Sequence, residues 1–187
     1  MQGYFSLTIV LLMGAIVLWR SLQMKKLGIK TIQLGIKHKR EFLIPPLLFL
    51  FFYFLITSVF KPPKDTFTFF NNSIIAWLGV AIYLFGFFFF LYALFSFKNS
   101  FRIGIDEDLP GKLVTTGAFA LSRNPMYTAF LTILFGTIWV FPTWIFLLLF
   151  LIGFWLIYFQ IRYEEASLKK IYGQEYLAYC QKTRRFF

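Results

Sequence analysis

The stretch Ile74-Ile75-Ala76-Trp77-Leu78-Gly79-Val80-Ala81-Ile82-Tyr83-Leu84-Phe85-Gly86-Phe87-Phe88-Phe89-Phe90-Leu91-Tyr92-Ala93-Leu94-Phe95-Ser96-Phe97 carries no charged side chain from end to end. A helix crossing the hydrocarbon of a bilayer needs about 20 predominantly apolar residues, and this run exceeds that. Working outward, further apolar runs occupy Tyr4–Trp19, Phe42–Phe60, Tyr127–Phe141 and Trp144–Tyr158. The last two are short, but Phe141-Pro142-Thr143-Trp144 separates them as a tight turn and flanking residues extend each helix. A single bent helix over Tyr127–Gln160 is the rival reading; Pro142 and the doubled length argue against it. The first run lacks a basic leading segment and a small-residue cleavage site, so it reads as a retained span rather than a signal peptide. The expected fold is all-α: a polytopic membrane protein with about five transmembrane helices and a cytoplasmic amphipathic C-terminal helix.

Composition points the same way. The 187 residues are 59% hydrophobic, 23% aromatic and 14% charged, with 28 Phe. A soluble domain averages about 45–50% apolar and about 25% charged residues. The expected organisation is one domain over 1–187, with three spans in 1–97, a loop in 98–126, a helical hairpin in 127–160 and a tail in 161–187. Arg20, Lys25, Lys26, Lys30, Lys37, Lys39 and Arg40 crowd the first connector. Lys98, Arg102, Lys112 and Arg123 lie in the third, and Arg162, Lys169, Lys170, Lys182, Arg184 and Arg185 in the tail. The opposite connectors hold little beyond Lys61 and Lys64. The bias of cations toward the cytoplasm then sets the amino terminus outside and the carboxyl terminus inside, which five spans allow.

The formal net charge of +11 suggests nucleic acid at first sight. Cations massed in juxtamembrane connectors set topology and touch anionic headgroups instead, so the bilayer is the expected partner and nucleic acid is not. Gly28-Ile29-Lys30 and Gly35-Ile36-Lys37 echo each other, on too few residues to mark a repeat. The single Cys180 excludes an internal disulfide and any multi-thiolate metal site. The single His38 sits in the basic connector with nothing beside it that suggests a triad. No phosphate-cradling glycine motif occurs, and no metal ligand set is expected.

Chemistry must therefore come from the third connector and the tail. Asn124-Pro125 reads as an N-cap and first helical position, since Asn caps amides and the proline ring suits a first turn. The positive end of that helix, with Arg123, Asn124 and Tyr127 as side-chain donors, suits a carboxylate; a plain cap with Arg123 anchoring headgroups is the simpler account. Glu164 and Glu165 follow the fifth span directly, where carboxylates are costly unless paired or solvated. Lys169 and Lys170 are the cations suggested by sequence for a surface network; the alternative is one carboxylate holding a ligand ammonium and the other orienting a cation. Leu168, Ile171, Tyr172, Tyr176 and Tyr179 recur at helical spacing, broken at Gly173, which predicts one or two amphipathic helices against the membrane.

Leu113-Val114-Thr115-Thr116-Gly117-Ala118-Phe119, Ser122-Arg123-Asn124-Pro125-Met126-Tyr127, Glu164-Glu165 and Tyr172-Gly173-Gln174-Glu175-Tyr176-Leu177-Ala178-Tyr179 come in this order. Together they resemble the isoprenylcysteine carboxyl methyltransferase family, part of a membrane methyltransferase superfamily that includes phospholipid N-methyltransferases. The resemblance covers about Lys112 to Phe187. It implies a cytoplasm-facing pocket for S-adenosyl-L-methionine, released as S-adenosyl-L-homocysteine, and a bilayer-side route for a lipophilic or amphiphilic methyl acceptor. Gly111, Lys112, Leu113 and Val114 match the cofactor-lining loop, and Phe119 stands where the family often has Tyr. Asn124, Pro125, Met126 and Tyr127 match the Arg-His-Pro-x-Tyr segment, and Glu164 matches the acidic cofactor ligand.

Two positions depart from that pattern. The family's substrate-side arginine falls at Gln160, with Arg162 two residues nearer Glu164. Asn124 replaces a histidine, keeping donors and an acceptor but losing the ability to titrate. Asn at this position occurs among bacterial members, so a bacterial inner membrane or its equivalent is the expected location. The catalytic expectation is Arg162, to position an anionic substrate group, with Glu164; Arg162 and Gln160 form the expected substrate side. A phospholipid amine or a small thiol are alternative acceptors to a carboxylate. A sterol-type membrane reductase, whose tail Tyr172 to Cys180 echoes, and a non-catalytic lipid-binding protein are readings of other classes.

Overall fold

The computed structural model describes residues 1–26, 43–62, 68–97 and 111–187. Expectations about Lys30, Lys37, His38, Lys39, Arg40, Lys64, Lys98, Arg102 and the first part of the 98–126 loop lie outside the described residues. Among those described, the regular elements are α-helices: α1 (Gln2–Lys26), α2 (Ile44–Phe60), α3 (Ser73–Ser96), α4 (Ala118–Leu121), α5 (Pro125–Val140), α6 (Trp144–Tyr172) and α7 (Gln174–Lys182). A lone antiparallel bridge joins Thr68 to Thr143. Each of the five apolar runs holds one long helix over its described residues. By length and hydropathy α1, α3 and α6 can each cross a membrane; α2 and α5 are apolar helices of 17 and 16 residues.

Local chemistry explains the helix limits. Pro45 and Pro46 sit in the first turn of α2, where a missing N–H costs nothing. Asn72 caps α3 through its side-chain oxygen, which accepts from the N–H groups of Ile74 at 2.9 Å and Ile75 at 3.3 Å. Between α5 and α6, Phe141-Pro142-Thr143 makes the expected turn, and Phe69 N–H donates to the Pro142 carbonyl at 2.7 Å. Helix α6 does not end with its apolar stretch: it runs on unbroken through Glu164 and Glu165 to Tyr172. Gly173, at φ 51°, then turns the chain into α7, a conformation glycine adopts without steric cost.

The chain alternates in direction. Gln2 of α1 donates to Ser73 of α3 at 2.9 Å, and Tyr4 packs edge-on to Phe60, the last residue of α2. One end therefore gathers the starts of α1 and α3, the end of α2 and the α5–α6 turn. The other end gathers the ends of α1 and α3, the start of α5, and the polar part of α6 with α7.

The centre of the bundle is the α3–α5 contact, built on small residues as close helix packing inside a membrane requires. A Cβ added to Gly79 would stand 2.8 Å from the backbone nitrogen of Val140, and one on Gly136 would stand 2.9 Å from the Tyr83 ring. Tyr83 and Thr137 are fully buried there, their hydroxyls 2.6 Å apart. Thr137 donates its own proton to the Ile133 carbonyl at 2.9 Å, so Tyr83 is the donor of the pair. Removing that donor by Tyr83→Phe is expected to lower stability by about 1 kcal/mol, read by thermal unfolding in detergent.

Candidate functional site

At the polar end of the bundle the short helix α4, the start of α5, the polar part of α6, and α7 with its tail meet. Their arrangement begins with Gly117, at φ 67°. A Cβ there would collide with the Ser96 hydroxyl, which accepts the Ala118 N–H at 3.0 Å. The turn thus ties α4 to the last turn of α3 and sends Phe119 inward. The Phe119 ring is buried among Phe97, Tyr176 and Tyr179, with Leu113, Val114, Leu168 and Tyr172 packed around it. The Tyr179 hydroxyl donates to the Phe119 carbonyl at 2.6 Å, and the Tyr172 hydroxyl to the Gly111 carbonyl at 3.1 Å. The segment from Gly111 to Phe119 is therefore laid against α6 and α7. Burial pushes the phenols of Tyr176 and Tyr179 well above their ordinary range.

The two adjacent glutamates have separate fates, because neighbours on a helix are turned about 100° from each other. Glu165 is the hub of an ion cluster. Its Oε1 accepts from Arg123 Nε at 3.2 Å and Asn124 Nδ2 at 3.3 Å, with Arg123 Nη2 at 3.1 Å. Its Oε2 accepts from Arg185 Nε at 3.1 Å and Nη2 at 2.7 Å. Side-chain exposure is 12% for Glu165, 13% for Arg123 and 33% for Arg185. The hydrogen bonds to Glu165 hold the Arg185 guanidinium above its ordinary value.

Arg123 also reaches the end of α7, donating through Nη1 to the carbonyls of Cys180 at 3.2 Å and Thr183 at 3.3 Å. These are late-helix carbonyls with no partner further along the helix, and a cation there complements the dipole. The Arg123 N–H donates to the Arg184 carbonyl at 2.9 Å, while Ser122 Oγ and Asn124 Nδ2 both donate to the Arg185 carbonyl at 3.2 Å. Residues 122–124 and 184–185 are thus strapped together.

Glu164 sits in a different group. Its Oε1 accepts from the Tyr127 hydroxyl at 2.5 Å and from Gln160 Nε2 at 3.0 Å. Tyr127 comes from the first turn of α5; Gln160 and Glu164 are one turn apart on α6. A carboxylate oriented by two donors, at the junction of two helices, is an acceptor-only group suited to a cation.

Of the residues singled out in the sequence, the structure brings Tyr127, Gln160 and Glu164 together. Pro125 is the first residue of α5, as expected, and Met126 packs against the central core. Asn124 stands at the N-cap position, but its side chain makes no cap hydrogen bond; Glu165 and the Arg185 carbonyl take its amide instead. Lys169 is exposed, and the ion-pair partners of Glu165 are Arg123 and Arg185. Arg162 is exposed beside Tyr158, two residues and so about 160° around α6 from Glu164. It is not part of the Glu164 group. Lys112 is exposed, beside half-buried Leu113 and Val114. Arg185 and Ser122 were missed in the sequence. The available signal was arithmetic: a carboxylate at the edge of hydrocarbon needs compensating charge, and the tail ends in the arginine pair Arg184-Arg185.

Comparison with known proteins gives one family. The model of the phospholipid methyltransferase family matches residues 74–175, from α3 through the start of α7 and across the whole Glu164 group. No curated protein matches the chain.

Proposed function

The chain belongs to the phospholipid methyltransferase family and is an integral membrane methyltransferase; from that premise we propose that it methylates an amphiphilic lipid, with Glu164 as the cofactor's ammonium ligand. Members of this family generally use S-adenosyl-L-methionine, whose sulfonium supplies the activated methyl group and which leaves as S-adenosyl-L-homocysteine. The observation that carries the reading is the Glu164 carboxylate held by Tyr127 and Gln160 at the α5–α6 junction.

The residues suit such a ligand in kind. Glu164 accepts from an ammonium and lowers the energy of a nearby sulfonium, and Tyr127 and Gln160 keep its carboxylate aimed. The segment Gly111, Lys112, Leu113 and Val114, apolar in its second half, would enclose the adenosine. Phe119 supports that segment from beneath, since its ring is committed to Tyr176 and Tyr179. Asn124 is a positioning residue: its amide links the start of α5 to Glu165 and the tail. Proximity and orientation are the main service such a site renders, and they are worth up to about 7–11 kcal/mol in well-oriented cases. The positive-inside bias supports a site facing the cytoplasm.

For the acceptor, the family description supports a phospholipid amine. A prenylated carboxylate is the second reading, supported by the ordered motifs from Ser122–Tyr127 to Tyr172–Tyr179. Purified protein given methyl-labelled cofactor with phosphatidylethanolamine, prenylcysteine analogues and thiols separates these. For the site itself, Glu164→Gln is expected to weaken S-adenosyl-L-homocysteine binding about ten- to a hundredfold in calorimetric titration, the loss of one charge-assisted contact. Full affinity in that variant would remove Glu164 from the site.

A further inference from the structure

On the face of α6 turned away from Glu164, the geometry points to a second site, for the phosphate of a lipid headgroup, formed by Tyr158, Arg162 and Arg185. Two guanidinium groups converge on one ring there: the central carbons of Arg162 and of Arg185 each lie 6.0 Å from the Tyr158 centroid. Arg162 Nη1 donates to the Tyr158 hydroxyl oxygen at 3.4 Å, which leaves the phenolic proton to donate outward. Arg162 is exposed, and Arg185 keeps a third of its side chain accessible although it also holds Glu165.

Charge and depth identify the ligand. Glu165 offsets one of Arg123 and Arg185, and among the described residues no ion pair joins Arg162 to a carboxylate, so these four groups together carry two net positive charges, with Arg162 and Arg185 at the Tyr158 ring. Like charges sharing a ring repel, and an anion between them reverses the sign of that interaction. Guanidinium forks match phosphate oxygens in geometry as well as charge. Tyr158 closes the apolar stretch of α6, with exposed Trp155 and Phe159 beside it, the position of interfacial aromatic residues at headgroup depth. A phosphate at that depth belongs to a lipid. Because a helix with its side chains is about 10–12 Å across, a headgroup held here is not the acceptor beside Glu164. The site stands whichever acceptor the enzyme methylates.

The test uses the full-length protein in neutral detergent micelles doped with dioleoyl-phosphatidylglycerol, with thermal stability as the readout. The wild type is expected to be stabilised in proportion to the added lipid, and dioleoylglycerol, which lacks the phosphate, to do nothing. Arg162→Gln, at an exposed position, is expected to raise the lipid concentration needed about tenfold while leaving S-adenosyl-L-homocysteine affinity unchanged. Tyr158→Phe is expected to raise it about threefold. Glu164→Gln should retain the lipid response, which separates this site from the proposed cofactor site. An unchanged lipid response in Arg162→Gln overturns the proposal. Equal stabilisation by dioleoylglycerol or by inorganic phosphate overturns it as well, the first by removing the phosphate from recognition and the second by removing the lipid.

Discussion

Glu165→Ala is expected to release the tail and lower stability by about 3 kcal/mol, the low end of the range for breaking a buried ion pair. The low end applies because Arg185 is a third exposed and water screens its side of the cluster. The loss has two parts. Arg123 and Arg185 would be left facing each other without the carboxylate that separates them. The Asn124 amide would also lose one of its two acceptors, loosening the start of α5. Thermal unfolding in detergent gives the stability change, and limited proteolysis reports whether residues 174–187 come free. Arg123→Ala should do the same and additionally uncap α7, since Arg123 bonds the Cys180 and Thr183 carbonyls. If Arg123 were a headgroup anchor at the surface, its removal would change stability by less than about 0.5 kcal/mol. A protease-resistant tail in both variants would contradict the strap.

The second large effect is expected at Gly79. A leucine there must push against the Val140 backbone nitrogen, 2.8 Å from where its Cβ would sit, with the Trp139 Cβ at 2.9 Å. Backbone cannot rotate aside as a side-chain tip can, so α3 and α5 must separate. Overpacking of this kind costs about 1–3 kcal/mol, and Gly79→Leu belongs at or above the top of that range. Separation would also break the Tyr83–Thr137 hydrogen bond one turn further along. Gly14 of α1 is the matched control, with nothing within 4 Å of an added Cβ. There, the same change, Gly14→Leu, is expected to stabilise the helix by about 0.5–1 kcal/mol. Equal behaviour of the two positions in thermal unfolding would rule out close packing as the reason for Gly79.

Several elements were legible because their causes are local. Pro125 begins α5 since proline suits a first turn, and Pro142 ends the helix before it reaches the next span. The apolar runs are helices because backbone polar groups in hydrocarbon must bond within their own segment. Hydropathy marks where the apolar stretch of the last span ends, at Tyr158, but not where its helix ends. The helix persists to Tyr172 because i to i−4 hydrogen bonds are indifferent to polarity, and Glu164, Ala166, Leu168 and Lys169 are all good helix formers.

Sequence by itself thus determined the helical class, the residence in a membrane, the family's ordered motifs and the polar end to which they return. Only the tertiary structure decided which partner each polar group takes. Asn124 has a sequence neighbourhood that asks for a cap, yet its amide is drawn to Glu165, 41 residues away, and to the Arg185 carbonyl, 61 away. Glu164 and Glu165 are chemically identical and adjacent; a turn of about 100° sends one to Tyr127 and Gln160 and the other to two arginines. A charge near hydrocarbon announces that it needs a partner. Which one it finds depends on how the helices pack, and packing is set by contacts such as Gly79 against Val140 that carry no charge at all.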